Sequence, residues 1–166
     1  MASPNKSSTV LSARFRVMKN DIIVNDRGVE FIARPLGWDI EGIIGMLQRA
    51  FTLRYFLYKD NTLISELRYD DIKDGFEITK DGVTTIINPE GFTIGDRKYK
   101  LETSLTDMRV VDISEGSSKA VASAKCSVAR YSVVFKEYPE HLKDIIKEIT
   151  VLYIIRKIVW SMINPI

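Results

Sequence analysis

A chain of 166 residues with 45% hydrophobic side chains suits one domain that buries roughly 70% of its unfolded surface. Its 24 Lys and Arg against 22 Asp and Glu leave a formal charge of +2, too little to indicate nucleic-acid binding by bulk electrostatics. The single cysteine, Cys126, excludes an internal disulfide and any cysteine-rich zinc site, which agrees with a reducing compartment.

In chain order, residues 1–12 are small and polar, read as a tail or an added edge segment ahead of one domain over 13–166. "MASPNKSSTV" lacks the apolar core of a secretory signal, so a cytoplasmic location is expected. "ARFRVM" predicts a strand. "DIIVNDRGVEFIARP" predicts two strands joined at Asn25-Asp26-Arg27-Gly28, where Asn, Asp and Gly supply the positive φ of a tight hairpin. "GWDIEGIIGMLQRA" predicts a short helix capped by Asp39, or a loop with one helical turn, because Gly42 and Gly45 each weaken a helix by about 1 kcal/mol.

"FTLRYFLYKDNTLISELRYD" reads as two strands around Lys59-Asp60-Asn61. The next stretch, to Glu102, holds four or five more, with turns at Lys80-Asp81-Gly82, Asn88-Pro89-Glu90-Gly91 and Gly95-Asp96. "DMRVVDISEG" and "ARYSVVFKEY" add two, with "SSKAVASAKCS" between them as a loop or a further strand.

The terminal segment predicts a helix over 140–163, with Pro139 near its first turn, where a missing N–H costs nothing. Leu142, Ile145, Ile146 and Ile149 mark one buried face, leaving Lys143, Asp144, Lys147 and Glu148 outward. Beyond Ile149 the helix is apolar on all sides and needs a membrane or a protein shell. A span takes about 20 consecutive apolar residues, and Arg156 and Lys157 interrupt this run, so no transmembrane span is expected. Ten or more short antiparallel strands supply the shell most simply by closing into a barrel, which removes exposed edges.

The segment order resembles a family. "FTLRYFLYKDNTLISELRYD" is similar to the strand-turn-strand unit of phospholipid scramblases and LURP-one-related proteins, with its Phe-x-hydrophobic-Arg start, polar turn and Leu-Arg end. "YKLETSLTDMRVVDISEG" resembles their late strand pair, and "RYSVVFKEYPEHLKDIIKEITVLYIIRKIVW" resembles their last strand and hydrophobic terminal helix. The resemblance covers about residues 14–163 and implies the tubby C-terminal-like fold: a mainly β, closed antiparallel barrel of about twelve strands around that helix.

The chain departs from the scramblase pattern where function is concerned. "AVASAKCSVARYSVVF" stands where scramblases carry an acidic stretch proposed to bind calcium, and it has no Asp or Glu, whereas calcium takes six to eight oxygen ligands. A lone Cys126 is no lipidation cluster and reads as a small packed hydrophobe. His141 is the one histidine, so a histidine metal cluster is impossible, and it reads as a helix-end polar residue. Asp70-Asp71 point oppositely if extended, against acid-base pairing. "GDRK" at Gly95–Lys98 lacks the strand, glycine turn and helix order of a phosphate loop. No catalytic residue, metal site or cofactor is therefore expected, and the chain reads as a non-enzymatic binding domain.

In "IGDRKYKLE", Tyr99 and Leu101 alternate with Lys98 and Lys100, so an inward Tyr99 puts both lysines outside beside Arg97. Tubby proteins bind phosphoinositide headgroups through basic barrel residues. The resemblance thus implies an anionic-headgroup site at Arg97, Lys98 and Lys100, with the protein peripheral to a membrane. The charged face of an ordinary solvated strand, a protein-interaction or structural module, and an enzyme with an unrecognised site are the alternatives.

Overall fold

Turn chemistry sets the strand boundaries. Arg27 and Gly28 have φ of 53° and 87°, Asp60 and Asn61 50° and 66°, Asp81 and Gly82 52° and 77°. Paired positive φ values make the type I′ geometry that matches strand twist, and Gly28 and Gly82 adopt it without a Cβ penalty. In the computed structural model, which describes residues 10–35, 52–70, 75–88, 90–104, 106–116, 118–127 and 131–163, these turns separate β1 (Leu11–Arg16), β2 (Asp21–Asp26), β3 (Val29–Pro35), β4 (Thr52–Lys59), β5 (Thr62–Asp70), β6 (Gly75–Lys80), β7 (Val83–Ile87), β8 (Phe92–Ile94), β9 (Arg97–Thr103), β10 (Asp107–Asp112), β11 (Lys119–Ser127) and β12 (Ser132–Phe135). A 3₁₀ turn over Glu140–Leu142 leads into α1 (Lys143–Ile163).

All pairings are antiparallel, in the order β7-β6-β5-β4-β3-β2-β1-β12-β11-β10-β9-β8. Neighbouring strands are consecutive in the chain throughout, except where β1 meets β12, Leu11 opposite Phe135 and Arg14 opposite Ser132. The twelve-stranded sheet is thereby bent almost into a barrel. It falls short of the closure expected: β7 and β8 are its two ends, and among the described residues only Asn88 and Gly91 form a bridge between them. The hairpin starts there and its strands part, Phe92 turning inward to stack on Tyr99 with ring centroids 5.7 Å apart.

The interior follows the pleat. Leu11 and Ala13, Tyr55 and Leu57, Leu67 and Tyr69, Tyr99 and Leu101 are buried while the residues between them are not, and Ile22 and Val24 are buried on either side of the half-buried Ile23. Their common core includes α1, every residue of which from Ile145 to Ile155 is buried. Eleven consecutive buried residues are three helical turns, so no face of that stretch meets solvent. The helix backbone approaches β1, β2, β5, β6 and β12.

Three expectations are corrected. Lys147 and Glu148 do not look outward: they are 4% and 3% exposed, because this part of the helix has no solvent side and its charges find partners in the barrel wall. Leu11, expected in the polar tail, is fully buried as the first residue of β1, held between β2 and β12. The strand expected through Met18 ends at Arg16, since Arg16 pairs with Asp21 and residues 17–20 form the turn between them. Of the alternatives for "SSKAVASAKCS", most of it is strand β11. The Asp39 helix, the first nine residues, Asp71 and Pro89 lie outside the described residues.

Candidate anion-binding surface

On β9 the pleat places Tyr99 and Leu101 inside and Lys98 outside, with Arg97 and Lys100 half-buried. Lys98 lies along the sheet edge, where a Cβ on Gly91 would stand 3.2 Å from its Cε, so a glycine there leaves space for the lysine stem. The neighbouring strand then neutralises much of the cluster. Arg97 donates from Nε to Asp112 at 2.8 Å and also faces Glu115 at 3.6 Å. Asp112, bound first by the Ser114 backbone N–H and hydroxyl and then by Arg97, is drawn down to about 2. Lys100 meets Glu102 at 3.2 Å, and Glu102 also accepts from Arg109. Arg109 first and Lys100 second lower the Glu102 carboxyl. Lys98 is the one of the three for which the described residues show no ion pair. The structure thus puts Arg97, Lys98 and Lys100 on one strand, as spacing indicates, but beside carboxylates that local sequence does not reveal.

At the same end of the barrel, where the helix enters, a cleft of about 570 Å³ opens among Asp26, Arg27, Phe31, Lys80, Glu140 and Lys147. Its charges are also matched pairwise. Lys147 donates to Asp26 at 3.0 Å, faces Asp144 at 3.3 Å and lies 4.6 Å from the Phe31 ring centroid. Asp26 accepts from Tyr138, whose hydroxyl is pushed up by burial and then by that hydrogen bond. Arg27 donates to Glu140 at 2.5 Å, and Lys143 to the same carboxylate at 3.2 Å. His141 Nε2 and Tyr99 Oη share a hydrogen bond of 3.2 Å, tying the helix start to β9.

Glu148 stands apart. Its Oε2 is buried without a hydrogen bond and faces Lys80 at 3.3 Å. Burial raises its pKa and Lys80 only partly opposes this. A carboxyl whose folded pKa exceeds its unfolded value takes up a proton on folding as pH falls through the raised value, so its contribution grows on acidification until the ordinary carboxylate range is reached. From neutral pH toward about pH 5 the melting temperature of the native chain should therefore rise. Glu148→Gln should flatten that rise and raise the neutral-pH value. A pH-independent native Tm over this interval would show that Lys80 compensates Glu148 fully.

Among the described residues, cations gather with fewer carboxylates at the opposite end, where the helix leaves. Arg14 and Lys19 come from β1 and its turn, Arg156 and Lys157 from the last turns of α1. Lys157 is lowered by burial and then by the charge of Arg156. Asp21 at the start of β2 and Asp107 at the start of β10 are each held by a cation of their own, Arg16 at 2.7 Å and Lys125 at 2.7 Å. Sequence reading missed this grouping, because β1 and α1 are brought together by the β1–β12 pairing. The half-buried Cys126 lies at the same end, its thiol raised by burial and hence not activated.

Among the described residues no three His, Cys, Asp or Glu side chains could hold a metal ion, and no helix is long and apolar enough to cross a membrane. No protein-family model, curated protein or solved structure matches this chain.

Proposed function

We propose that the chain is a non-enzymatic binding domain, a barrel wrapped around its terminal helix, and that it recognises anionic phospholipid headgroups at a membrane surface. Burial of α1 on every side from Ile145 to Ile155 supports the architecture. The observation that carries the function is the cation group at the helix exit, beside which two of the described acids, Asp21 and Asp107, are engaged by Arg16 and Lys125. At Arg97 and Lys100 an anion must compete with Asp112 and Glu102, so Lys98 contributes there as a single charge.

Sedimentation with phosphatidylcholine vesicles, with and without phosphatidylserine, tests this. Binding should require the anionic lipid and weaken with salt. Each basic residue near an anionic surface contributes about 1 kcal/mol. Replacing Arg14 and Lys19 by glutamine should therefore weaken binding roughly 30-fold, and replacing Arg97, Lys98 and Lys100 should do less. A chain that ignores anionic vesicles at low salt is not a headgroup binder.

A protein-interaction reading is favoured by one feature. β7, "VTTII", is an uncharged end strand with Val83 and Ile86 exposed, the kind of edge to which a partner strand adds.

A further inference from the structure

Exposed turns are usually built from Gly, Asn, Asp, Ser or Pro, yet the β1–β2 turn reads Val17-Met18-Lys19-Asn20. Val17 is 75% and Met18 96% exposed. The turn is rigidly based: Arg16 donates through Nε and Nη2 to both oxygens of Asp21, each at 2.7 Å, and the strands pair up to that point. Asn20, at φ 54°, takes the left-handed conformation that turns the chain back. Two large apolar side chains are thus held out on a stiff hairpin tip.

The tip is strapped to the end of the helix. Phe15 packs edge-on against Tyr131 with centroids 6.2 Å apart, and its N–H donates to the Tyr131 carbonyl at 3.2 Å. Tyr131 Oη donates to Ser161 Oγ at 2.9 Å. Trp160, next to Ser161, is 54% exposed. Val17, Met18 and Trp160 therefore share the helix-exit end with Arg14, Lys19, Arg156 and Lys157.

We infer that this end is a membrane-docking tip, with Val17, Met18 and Trp160 entering the headgroup region of an anionic bilayer while the surrounding lysines and arginines meet its phosphates. The inference rests on the lipid reading and adds to it an orientation and a depth. Aliphatic side chains gain by leaving water, tryptophan favours the membrane interface because its ring is apolar with one polar N–H, and the cations complement the surface charge. The molecule stands end-on. Glu140 and Asp144, with the cleft at the helix entrance, then face away from the anionic surface.

Two measurements test this on phosphatidylcholine–phosphatidylserine vesicles. In the first, Met18→Glu and Val17→Glu should each reduce partitioning at least about tenfold with Tm unchanged. Val83→Glu, at an exposed apolar residue of the opposite end, should leave partitioning intact. In the second, a Trp38→Phe chain, checked for a native melting curve, reports from Trp160 alone. Its emission should shift to the blue and be quenched by lipids brominated near the headgroup. Vesicle binding unaffected by both glutamate variants, or a Trp160 signal untouched by brominated lipid, overturns the docking tip while leaving headgroup recognition standing. Absence of any vesicle binding overturns both.

Discussion

Ile154→Asp should leave the chain unfolded at room temperature. Ile154 is 1% exposed, the last residue but one of the stretch of α1 buried on every side, so an aspartate there is placed among apolar side chains. Burying an unpaired carboxylate costs several kcal/mol even when the group responds by taking up a proton. The volume and contacts of the isoleucine are lost besides. Against a total stability of about 5–15 kcal/mol for a domain of this kind, that loss consumes most of the margin. Circular dichroism and a urea titration check the outcome. A cooperative transition within about 1 kcal/mol of the native chain would mean that the helix is not enclosed. Ile154→Val, which removes one methylene group, should cost only about 0.5–1.5 kcal/mol and remain folded.

Asp26→Ala should be the most damaging substitution of a polar residue, at about 3–5 kcal/mol. Asp26 accepts from Tyr138 and Lys147, and its removal strands a lysine that is 4% exposed. Asp144 at 3.3 Å and the Phe31 ring soften the loss, which places the expected value near the lower figure. Removing the charge as well, in Asp26→Ala combined with Lys147→Met, should restore much of the stability, since a buried pair replaced by apolar groups is often neutral. Urea midpoints of the two single variants and the double variant give the coupling. A double variant as unstable as the two single losses added together would show that the residues act independently.

These partners show where local sequence stops informing. The hairpin tips at Arg27-Gly28, Asp60-Asn61 and Asp81-Gly82 are legible because positive φ is a property of a few residues, wherever the fold puts them. The inward and outward alternation of Tyr99, Leu101 and Lys98 is legible for the same reason: it depends on the pleat of one strand. The outward reading of Lys147 and Glu148 fails because helical spacing assumes a helix with one wet side, and Lys147 meets Asp26 across 121 residues of chain. At β9 the cations are legible but Asp112 and Glu102 as their partners are not, for pairing depends on strand register. Val17 and Met18 look like the end of a strand by composition. Only the closure of Arg16 on Asp21 makes them a tip.

The order of strands also bears on how the chain reaches this state. β1 to β7 form one unbroken meander and β8 to β12 another, and across the sheet the two meet in a single long-range ladder, β1 with β12. Within each meander every pairing is local, so little loop-closure entropy is spent in forming it. The large entropic step is concentrated in one event, the docking of the second meander and its helix onto the first, whose strands β1, β2, β5 and β6 the helix approaches. Because β7 and β8 share no ladder beyond the Asn88–Gly91 bridge, the peptide link between them carries almost none of the sheet's pairing. Severed there, the sequence becomes two polypeptides that still hold a complete set of instructions for finding each other.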